Sequence, residues 1–412
     1  MTKVCMLVHT HSFLDTRIFQ KEAKSLQKHG YDVVMIVPRI KGKLFKVNKE
    51  PFDNELLEPS FMYEGIKMVT YDFESFKPTV EHMQEHIDAK SLTFNHPLVK
   101  LGLAENADVY HAHEVASLFA GIGIKRQREK EGKPIQLIFD SHDLIPDPFD
   151  KKPKFIAMGK LLDDMLKEID QLITVSPSIK AYYITKQPLL PIEILYNSPP
   201  LNKKFKARVP KDTELTVGYE GHVADNKKGS SDKIYQMTER SKSHINDFTF
   251  KIIGGVLHGH SLDIPDTLKD NISLTGWVPF ENIADEMAEV DIGWIDFDDL
   301  SNSLNRSYAL PNKFFSYLNN GIPVIVNKCH DMEQFIQTHQ CGIVLNKQKA
   351  TGDDYAEAIL YLHQNRDVLK QMSINARKAM EQLYNWEKME QRMIQMYEAL
   401  LDDQQKPFYI EK

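Results

Sequence analysis

A lysine and an asparagine stand at the start of a predicted helix, in a setting that can hold an anion. The stretch 308–326 reads YALPNKFFSYLNNGIPVIV, which predicts a Pro-containing turn, a helix near Asn312, a stop at Asn-Gly and a buried strand. A helix N-terminus at the carboxyl edge of a parallel sheet binds anions through free backbone N–H groups and its dipole, and Lys313 adds a positive charge. We therefore predict a nucleotide site here. Capping of the helix by the Asn312 side chain is the alternative that needs no ligand.

Two further turns could approach a phosphate. Lys228-Gly229 follows an apolar run and precedes a helical segment, so Lys228 could reach a diphosphate as a point charge while Gly229 lets the backbone come close. The Gly254-Gly255 pair follows the next apolar run and is a matching glycine turn. A solvated turn lysine is the alternative for Lys228.

Histidines and an aspartate follow other predicted strands. His111 and His113 lie two residues apart, so their side chains share one face, and His142 and Asp143 follow the next strand along the chain. His142 and Asp143 could orient a bound molecule or act as a base. Hydrogen-bonded strand-end histidines and a surface ion pair are the corresponding structural alternatives.

The His-x-His spacing raises the question of a metal site, because it recurs at His9/His11 and His258/His260. The pairs come from separate strand ends in two predicted domains, and none has a neighbouring Cys or an HExxH partner. We therefore predict no metal.

Alternating apolar runs and helical spacings supply the scaffold for these residues. The first half predicts strands at 3–9, 31–37, 66–70, 109–111, 135–139 and 172–175, and helices at 19–26, 75–104, 115–131 and 156–170. The second half predicts strands at 216–219, 248–253, 272–275, 291–295, 322–326 and 342–345, with helices between them and a long helical tail. The charged, proline-broken segment 40–62 predicts a mobile surface loop.

This alternation predicts an α/β protein with two doubly wound, Rossmann-like domains facing across a cleft, and a C-terminal helix returning toward the N-terminal domain. The Pro- and Lys-rich run near residue 200 marks the boundary. We assign residues 1–200 to an N-terminal Rossmann-like domain, 201–385 to a C-terminal Rossmann-like domain and 386–412 to a crossover helix and tail.

Bulk composition narrows the class of protein. The 412-residue chain has 26% charged residues and a formal charge of −7, which argues against nucleic acid as a partner. Its N-terminus lacks the pattern of a signal peptide, and no apolar run has the length of a membrane span, so we expect a cytoplasmic protein. Cys5, Cys329 and Cys341 predict buried free thiols.

Taken in order, a set of motifs resembles the large retaining glycosyltransferase family with two Rossmann-like domains, family 4-like with the GT-B fold. The motifs are DTRIFQKEAKSLQKHGYDVVMI at 15–36, DVYHAH at 108–113, FDSHD at 139–143, VSPSI at 175–179, YNSPP at 196–200, VGYEGHVADNKKG at 217–229, SLTGWVP at 273–279, LPNKFFSYLNNGIPVI at 310–325 and YNW at 384–386. The set covers nearly the whole chain. It implies a donor site in the C-terminal domain and an acceptor site in the N-terminal one.

The resemblance assigns donor-binding positions and exposes two departures. The donor-binding positions are Gly221, His222, Lys228, Gly229, Gly254, Arg306, Leu310, Asn312, Lys313 and Ser316. Relatives carry an Arg where this chain has His222, and Arg306 is a second cation that could replace it. Relatives also carry a Glu-x7-Glu pair whose second acid accepts hydrogen bonds from the ribose hydroxyls. Here Ser316 and Tyr308 occupy those positions, so both acids are missing.

On the acceptor side, the resemblance places His113 near the transferred sugar or the leaving phosphate. The Asp15-x-Arg17 form matches a subset of relatives in which the first turn shapes the acceptor pocket, and we include His11 and His111 in that pocket. We expect His113 and Asp143 to be the catalytic residues.

The resulting prediction is a retaining transfer of a hexose from a nucleotide diphosphate sugar to a glycan or lipid-linked acceptor. No cofactor or metal is required, because Lys228, Arg306 and helix N-termini offset the diphosphate charge. Basic segments at 41–49 and 151–154 could add a peripheral contact with the inner face of a membrane. Two alternatives stay open: a nucleotide-sugar 2-epimerase, which would want clustered acids and histidines around the sugar, and a non-catalytic binding or scaffold subunit, which the missing acids permit.

Overall fold

A computed structural model describes residues 1–47, 50–52, 58–75, 77–92, 94–208, 212–223, 230–256 and 262–402. Contacts divide the chain into two units, one formed by Met1–Leu195 with Glu390–Lys412 and the other by Tyr196–Met389. The boundaries drawn from the sequence fall after residues 200 and 385. Each unit is an α/β structure with its own sheet, as predicted.

The first unit is built on an eight-stranded sheet of order β3-β4-β2-β1-β5-β6-β7-β8. Its strands are β1 Lys3–Leu7, β2 Asp32–Arg39, β3 Ser60–Tyr63, β4 Ile66–Asp72, β5 Val109–His113, β6 Gln136–Ser141, β7 Gln171–Thr174 and β8 Ile192–Ile194. All neighbours pair in parallel except β3 with β4. The central strands are apolar and buried on both faces, because helices cover both sides of a parallel sheet.

Helices of the first unit connect these strands. They are α1 Lys24–Lys28, preceded by a π-helical turn at Ile18–Ala23, then α2 Val80–Asp88, α3 Pro97–Glu105, α4 Val115–Lys130, α5 Pro153–Met165 and α6 Pro177–Lys186. The single helix predicted over 75–104 is wrong: two helices occupy that segment. Pro97 begins the second one, and the His96 side chain accepts the Leu98 N–H at its start, so the chain restarts rather than continues.

The described part of the segment 40–62 is also not the mobile surface loop that its charge and prolines predicted. Leu44 and Phe45 are buried, and Ser12 Oγ donates to the Phe45 carbonyl at 2.6 Å. Its last described residues belong to β3, which pairs antiparallel with β4 at the sheet edge. Apolar residues scattered among charges gave no period from which to predict this strand.

The second unit has a six-stranded, wholly parallel sheet of order β11-β10-β9-β12-β13-β14. Its strands are β9 Glu214–Glu220, β10 Asp247–Ile253, β11 Ile272–Leu274, β12 Ile292–Ile295, β13 Val324–Val326 and β14 Gly342–Val344. Its helices are α7 Ser230–Lys242, α8 Ile283–Met287, α9 Leu304–Ser307, α10 Asn312–Asn319, α11 His330–His339, α12 Gly352–Gln364, α13 Arg366–Ala379 and the start of α14 Trp386–Leu401. Trp294 lies at the centre of the core, with Tyr219, Phe250 and Tyr355 against its ring.

The last helix, α14, joins the first unit from Glu390 onward. Ser25 Oγ donates to the Glu390 carboxylate at 3.1 Å, and Tyr397 Oη lies 2.9 Å from His111 Nδ1. These contacts confirm the predicted return of the C-terminal helix to the N-terminal domain.

The three cysteines, Cys5, Cys329 and Cys341, are free and buried, which confirms the prediction of unpaired thiols. Within the described part of the chain, every helix is too short or too polar to cross a lipid bilayer.

Each sheet has one point at which the strand order reverses direction. In the first unit this point lies between β1 and β5, and in the second between β9 and β12. Loops that leave the carboxyl ends of the two central strands diverge there and open a crevice, which is the usual ligand position in doubly wound sheets. Residues after β1, β5, β9 and β12 are therefore the first to consider for chemistry.

Candidate functional site

Two glycines bring the backbone of β9 and β10 together at the carboxyl edge of the second sheet. Gly221 has φ +135 and Gly254 has φ +146, a conformation that residues with a Cβ rarely adopt. The Gly221 N–H donates to the Ile253 carbonyl at 2.9 Å. A Cβ on Gly254 would lie 2.0 Å from the Gly221 oxygen, so only glycine fits. Because glycine has no side chain, the backbone beside the switch point is left uncovered.

Lys313 places its ammonium group directly over this backbone. A Cβ on Gly221 would lie 3.2 Å from Lys313 Nζ, and the same Nζ lies 4.0 Å from the centroid of the Tyr219 ring. The ring face attracts the cation and holds it over the glycine. A phosphate that approached the Gly221 backbone would therefore meet a positioned positive charge.

Helix α10 is fastened to the end of β9 by one buried tyrosine. Tyr317 Oη donates to the Gly218 carbonyl at 3.1 Å and accepts the Glu220 N–H at 2.8 Å. Its ring lies against Gly293 of β12, where a Cβ would come within 2.5 Å of the ring. This contact fixes Lys313 and Ser316, one turn apart on α10, relative to the switch point between β9 and β12.

Glu220, the last residue of β9, supplies a carboxylate beside Ser316 and Lys313. Burial raises the pKa of Glu220, while the Ser316 hydroxyl and the Lys313 charge act in the opposite direction. Glu220 Oε2 is buried and has no hydrogen-bond partner among the described residues. An acid is therefore present next to Ser316, although it comes from a strand of the sheet rather than from α10.

The other predicted donor-binding residues differ in their exposure and contacts. Asn312 is exposed at the first position of α10, and Pro311 is the N-cap with no side-chain hydrogen bond, so capping by Asn312 is wrong. Arg306 Nη1 donates to the Asp298 carbonyl at 2.8 Å, Leu310 is buried, and His222 is exposed. Lys228 and Gly229 lie outside the described residues, as do His258 and His260.

In the first unit, four side chains from three strand ends meet at the carboxyl edge. His11 Nδ1 lies 3.1 Å from Asp15 Oδ2, and His11 Nε2 lies 3.2 Å from Glu114 Oε1 and 3.3 Å from His142 Nε2. The hydrogen bond from His11 and the N–H of Ile18 outweigh burial and hold the pKa of Asp15 below its usual value. These four residues, called here the edge cluster, are partly exposed; Asp143 is exposed beyond them.

Beneath the edge cluster lies a buried ionic network. Arg17 donates from Nε to Asp140 Oδ2 at 2.7 Å and from Nη2 to Asp140 Oδ1 at 3.2 Å, and its Nη1 donates to the Leu195 carbonyl at 3.0 Å. His113 lies between Asp140 and Glu22, with nitrogen to oxygen distances of 3.5 and 3.8 Å. The structure thus places Arg17, His111 and His113 below the accessible edge, and their predicted contacts with substrate stay predictions.

Charges in this network are balanced internally. Burial opposes ionisation of Asp140, but Arg17 holds its pKa well below the usual range, whereas burial and the neighbouring Asp140 raise the pKa of Glu22. Burial also lowers the pKa of His111. One ligand atom from each of Glu22, His111, His113 and Asp140 lies within 4.8 Å of the others, close enough for a metal ion. The guanidinium of Arg17 already lies against the carboxylates of Asp140 and Glu22, at 2.7 and 3.0 Å.

Sequence reasoning missed Glu114, Asp140, Glu22 and Glu220. Asp140 and Glu220 fall inside quoted motifs, and each directly follows a predicted strand, at 135–139 and 216–219, so this position alone could have identified them. Glu114 directly follows the His-x-His motif, but nothing in the sequence signals its partners. Glu22 lies within the predicted helix at 19–26, whose apolar spacing gives no signal for a buried acid.

Comparison with known proteins fits this geometry. Residues 17–201 match the family model of Glycosyltransferase Family 4, and residues 235–385 match that of the Glucosyltransferase 3-like C-terminal domain. No curated protein matches the chain.

Solved structures resemble the whole chain at low sequence identity. Sucrose-phosphate synthase from Thermosynechococcus elongatus gives a TM-score of 0.66 at 15% identity, covering 97% of this chain and 99% of its own. HepE from Anabaena, in complex with UDP, gives 0.66 at 12% identity, covering 97% and 100%. A glycosyltransferase from Rickettsia africae gives 0.64 at 12% identity, covering 98% and 99%. These likenesses establish the fold, and the family matches establish the activity class. The chain is a glycosyltransferase of the GT-B fold, with a Glycosyltransferase Family 4 domain followed by a glucosyltransferase 3-like C-terminal domain.

Proposed function

We propose that this glycosyltransferase moves a hexose from a nucleoside diphosphate sugar to a hydroxyl group of a glycan or lipid-linked acceptor, with retention of anomeric configuration. The observation that carries the proposal is the group at the β9/β12 switch point, where Lys313 and Glu220 flank the open backbone of Gly221. Solved relatives support the donor class, because HepE is described in complexes with UDP and with UDP-glucose.

The residues of this group have complementary roles toward a nucleotide. The diphosphate would lie against Gly221, where Lys313 and the N-terminus of α10 offset its charge. The carboxylate of Glu220 would accept hydrogen bonds from the ribose diol, the contact that relatives make from the helix position occupied here by Ser316. Glu220 Oε2 has no hydrogen-bond partner among the described residues, so this side chain retains acceptor capacity for such a contact.

Transfer would rest on leaving-group stabilisation. The bond between C1 of the sugar and the diphosphate oxygen breaks with its electron pair on the diphosphate, and the acceptor oxygen bonds to C1 on the same face. The acceptor proton passes to the leaving diphosphate. Lys313 stabilises the negative charge that develops on it. Under this proposal the donor is the only small molecule besides the acceptor, and no cofactor is needed.

The first unit would bind the acceptor at the edge cluster, with Asp15 and His142 facing its hydroxyl groups. A cluster of acids and histidines is also what a 2-epimerase would want, but both family matches are to glycosyltransferases. Product analysis separates the two, because only transfer joins the sugar to an acceptor and releases the free nucleotide.

A loop and the first turn of α5 in the first unit support a peripheral membrane contact. Phe149 and Ile156 are 45% and 57% exposed, and the lysines at 151, 152 and 154 are exposed beside them. Apolar side chains flanked by lysines suit the interface of an anionic membrane. We place the enzyme in the cytoplasm, at the inner membrane face when its acceptor is lipid-linked.

Binding and turnover of donors test the proposal. Purified protein is titrated with UDP, GDP and ADP by calorimetry, and the nucleotide that binds is then supplied as its hexose conjugates. Replacing Glu220 by Gln removes a charge-assisted contact of about 1.5–3 kcal/mol, so we expect the affinity to fall roughly ten- to 150-fold.

Glu214→Gln is the matched control. It changes the same residue type at the opposite end of β9, roughly 20 Å away by strand rise, and should leave the affinity unchanged. Binding of none of the three nucleotides would refute the donor site. Binding without transfer or release of the sugar from any conjugate would refute the proposed reaction.

A further inference from the structure

Glu114 holds a backbone conformation that is unusual for its residue type. Its φ is 76° and its ψ is 160°, in a region that only glycine normally occupies. The residue directly follows β5, at the point where the strand order of the first sheet reverses. A strained backbone conformation persists where surrounding contacts hold the residue in place, and the side chain of Glu114 makes such contacts.

The Glu114 carboxylate organises the loop that follows β1. Its Oε2 accepts the His9 N–H at 2.9 Å, and both oxygens accept the Thr10 N–H, at 3.1 and 3.2 Å. The Thr10 hydroxyl donates to Oε1 as well. With His11 Nε2 at 3.2 Å from Oε1, the carboxylate is fully used inside the protein. Glu114 is therefore placed to position the loop, and its neighbours are placed to meet a ligand.

The groups that remain accessible are an imidazole and carboxylates. His11 is 32% exposed and Asp15 20% exposed. Both ring nitrogens of His11 face a carboxylate, at Asp15 and at Glu114, so the ring orientation is fixed from two sides. With both nitrogens engaged, His11 positions its neighbours, whereas Asp15 can accept through its remaining lone pair and His142 Nδ1 has no hydrogen-bond partner among the described residues. These two groups can meet hydroxyl groups, the contacts by which neutral sugars are recognised.

The positively charged side chains of the same segment are buried. Arg17 is 5% exposed and bound to Asp140, and Lys21 is 2% exposed. A phosphate or carboxylate at the edge cluster would meet Asp15, Glu114 and the exposed Asp143 without an accessible arginine or lysine among these residues. Like charge would disfavour such a ligand.

We propose that the reacting end of the acceptor is an uncharged sugar, bound through its hydroxyl groups by Asp15 and His142 of the edge cluster, with His11 and Glu114 as the residues that position them. The inference rests on the proposed function and narrows its acceptor class. It separates a neutral glycan end from a phosphorylated one, and it gives Glu114 a role that neither the sequence nor the family match assigns.

Acceptor kinetics test this proposal with the donor that supports turnover. Methyl glycosides of glucose, galactose and N-acetylglucosamine are compared with the 6-phosphates of the same sugars. We expect transfer to at least one neutral sugar and a kcat/KM at least tenfold lower for its phosphate.

Glu114→Gln keeps the size of the side chain and removes its charge, and Glu129→Gln changes an exposed residue at the other end of α4. We expect Glu114→Gln to lower the acceptor kcat/KM tenfold or more and the melting temperature by a few degrees, because an amide cannot accept all the hydrogen bonds that the carboxylate accepts. Donor affinity should stay within error, and Glu129→Gln should match the wild type. A merely structural role would lower the melting temperature and leave the acceptor kcat/KM of the folded enzyme unchanged.

Preferred transfer to phosphorylated acceptors would overturn the inference, and so would unchanged acceptor kinetics in Glu114→Gln. In both cases donor binding and turnover would persist, so the proposed function would stand. Loss of donor binding in the wild type would instead refute the proposed function itself.

Discussion

Gly254 is the residue whose replacement most directly tests the backbone arrangement at the donor site. In Gly254→Ala the new Cβ would lie 2.0 Å from the Gly221 oxygen and 2.8 Å from its carbonyl carbon, whereas such contacts normally exceed 3 Å. The Gly221 peptide must therefore move by about 1 Å, which changes its position relative to Lys313 and Glu220. The φ of +146 adds strain of about 1–3 kcal/mol.

Together these effects should destabilise the second unit by roughly 2–4 kcal/mol, which corresponds to a fall of about 5–15 °C in its melting temperature. Nucleotide affinity should fall in addition, because the phosphate position itself is displaced. Differential scanning calorimetry measures the first effect, and isothermal titration at a temperature well below unfolding measures the second.

Gly276→Ala is the matched control, since Gly276 pairs with Gly254 through an isolated bridge. Its φ is +75 and a Cβ there would meet nothing within 4 Å. We expect it to cost about 1 kcal/mol through backbone strain, partly offset by the lower entropy of the unfolded chain, and to leave nucleotide affinity unchanged. If Gly254→Ala bound nucleotide as well as Gly276→Ala does, the close approach of the two strand ends would have no part in the donor site.

Two further predictions concern the buried network of the first unit. Burial lowers the pKa of Lys21 to about 7 from 10.5, so the unfolded chain binds one more proton between these pH values. The free energy of unfolding should therefore rise by about 1.4 kcal/mol per pH unit in that range. Lys21→Met should flatten this rise in calorimetry from pH 7 to 9, and parallel curves for the two proteins would contradict the prediction. Arg17→Met should cost about 3–5 kcal/mol in urea unfolding by leaving Asp140 unpaired, and adding Asp140→Asn should recover most of that loss. A double variant no more stable than Arg17→Met would show that the pairing of Arg17 with Asp140 does not stabilise this unit.

Much of the fold follows from patterns along the chain. The helix predicted to start near Asn312 and to stop at Asn-Gly occupies Asn312–Asn319, because its apolar positions recur at helical spacing and an Asn-Gly pair ends it. Central strands such as β5 were also predicted, since they are apolar runs bounded by turns. Helix breaks such as the one at Pro97 were missed, because helical spacing continued on both sides of it.

The candidate site depends on contacts between distant parts of the chain, which a linear pattern does not carry. A search along α10 for the expected acid ends at Ser316 and finds none, yet Glu220 reaches Ser316 from β9 through the fold. The motif FDSHD drew attention to exposed Asp143, while the buried Asp140 is the residue paired with Arg17. The backbone of Glu114 could not be foreseen, since positive φ is rare for glutamate.

The central claim is that Glu220 replaces, from the sheet, the ribose-binding acid that α10 lacks. Its most direct test compares the binding nucleoside diphosphate with its 2′-deoxy analogue by calorimetry, in the wild type and in Glu220→Gln. The account predicts that the wild type binds the deoxy compound roughly tenfold or more weakly, because one hydrogen bond to a charged group is lost, and that Glu220→Gln binds both compounds equally. Equal discrimination by the two proteins would contradict it.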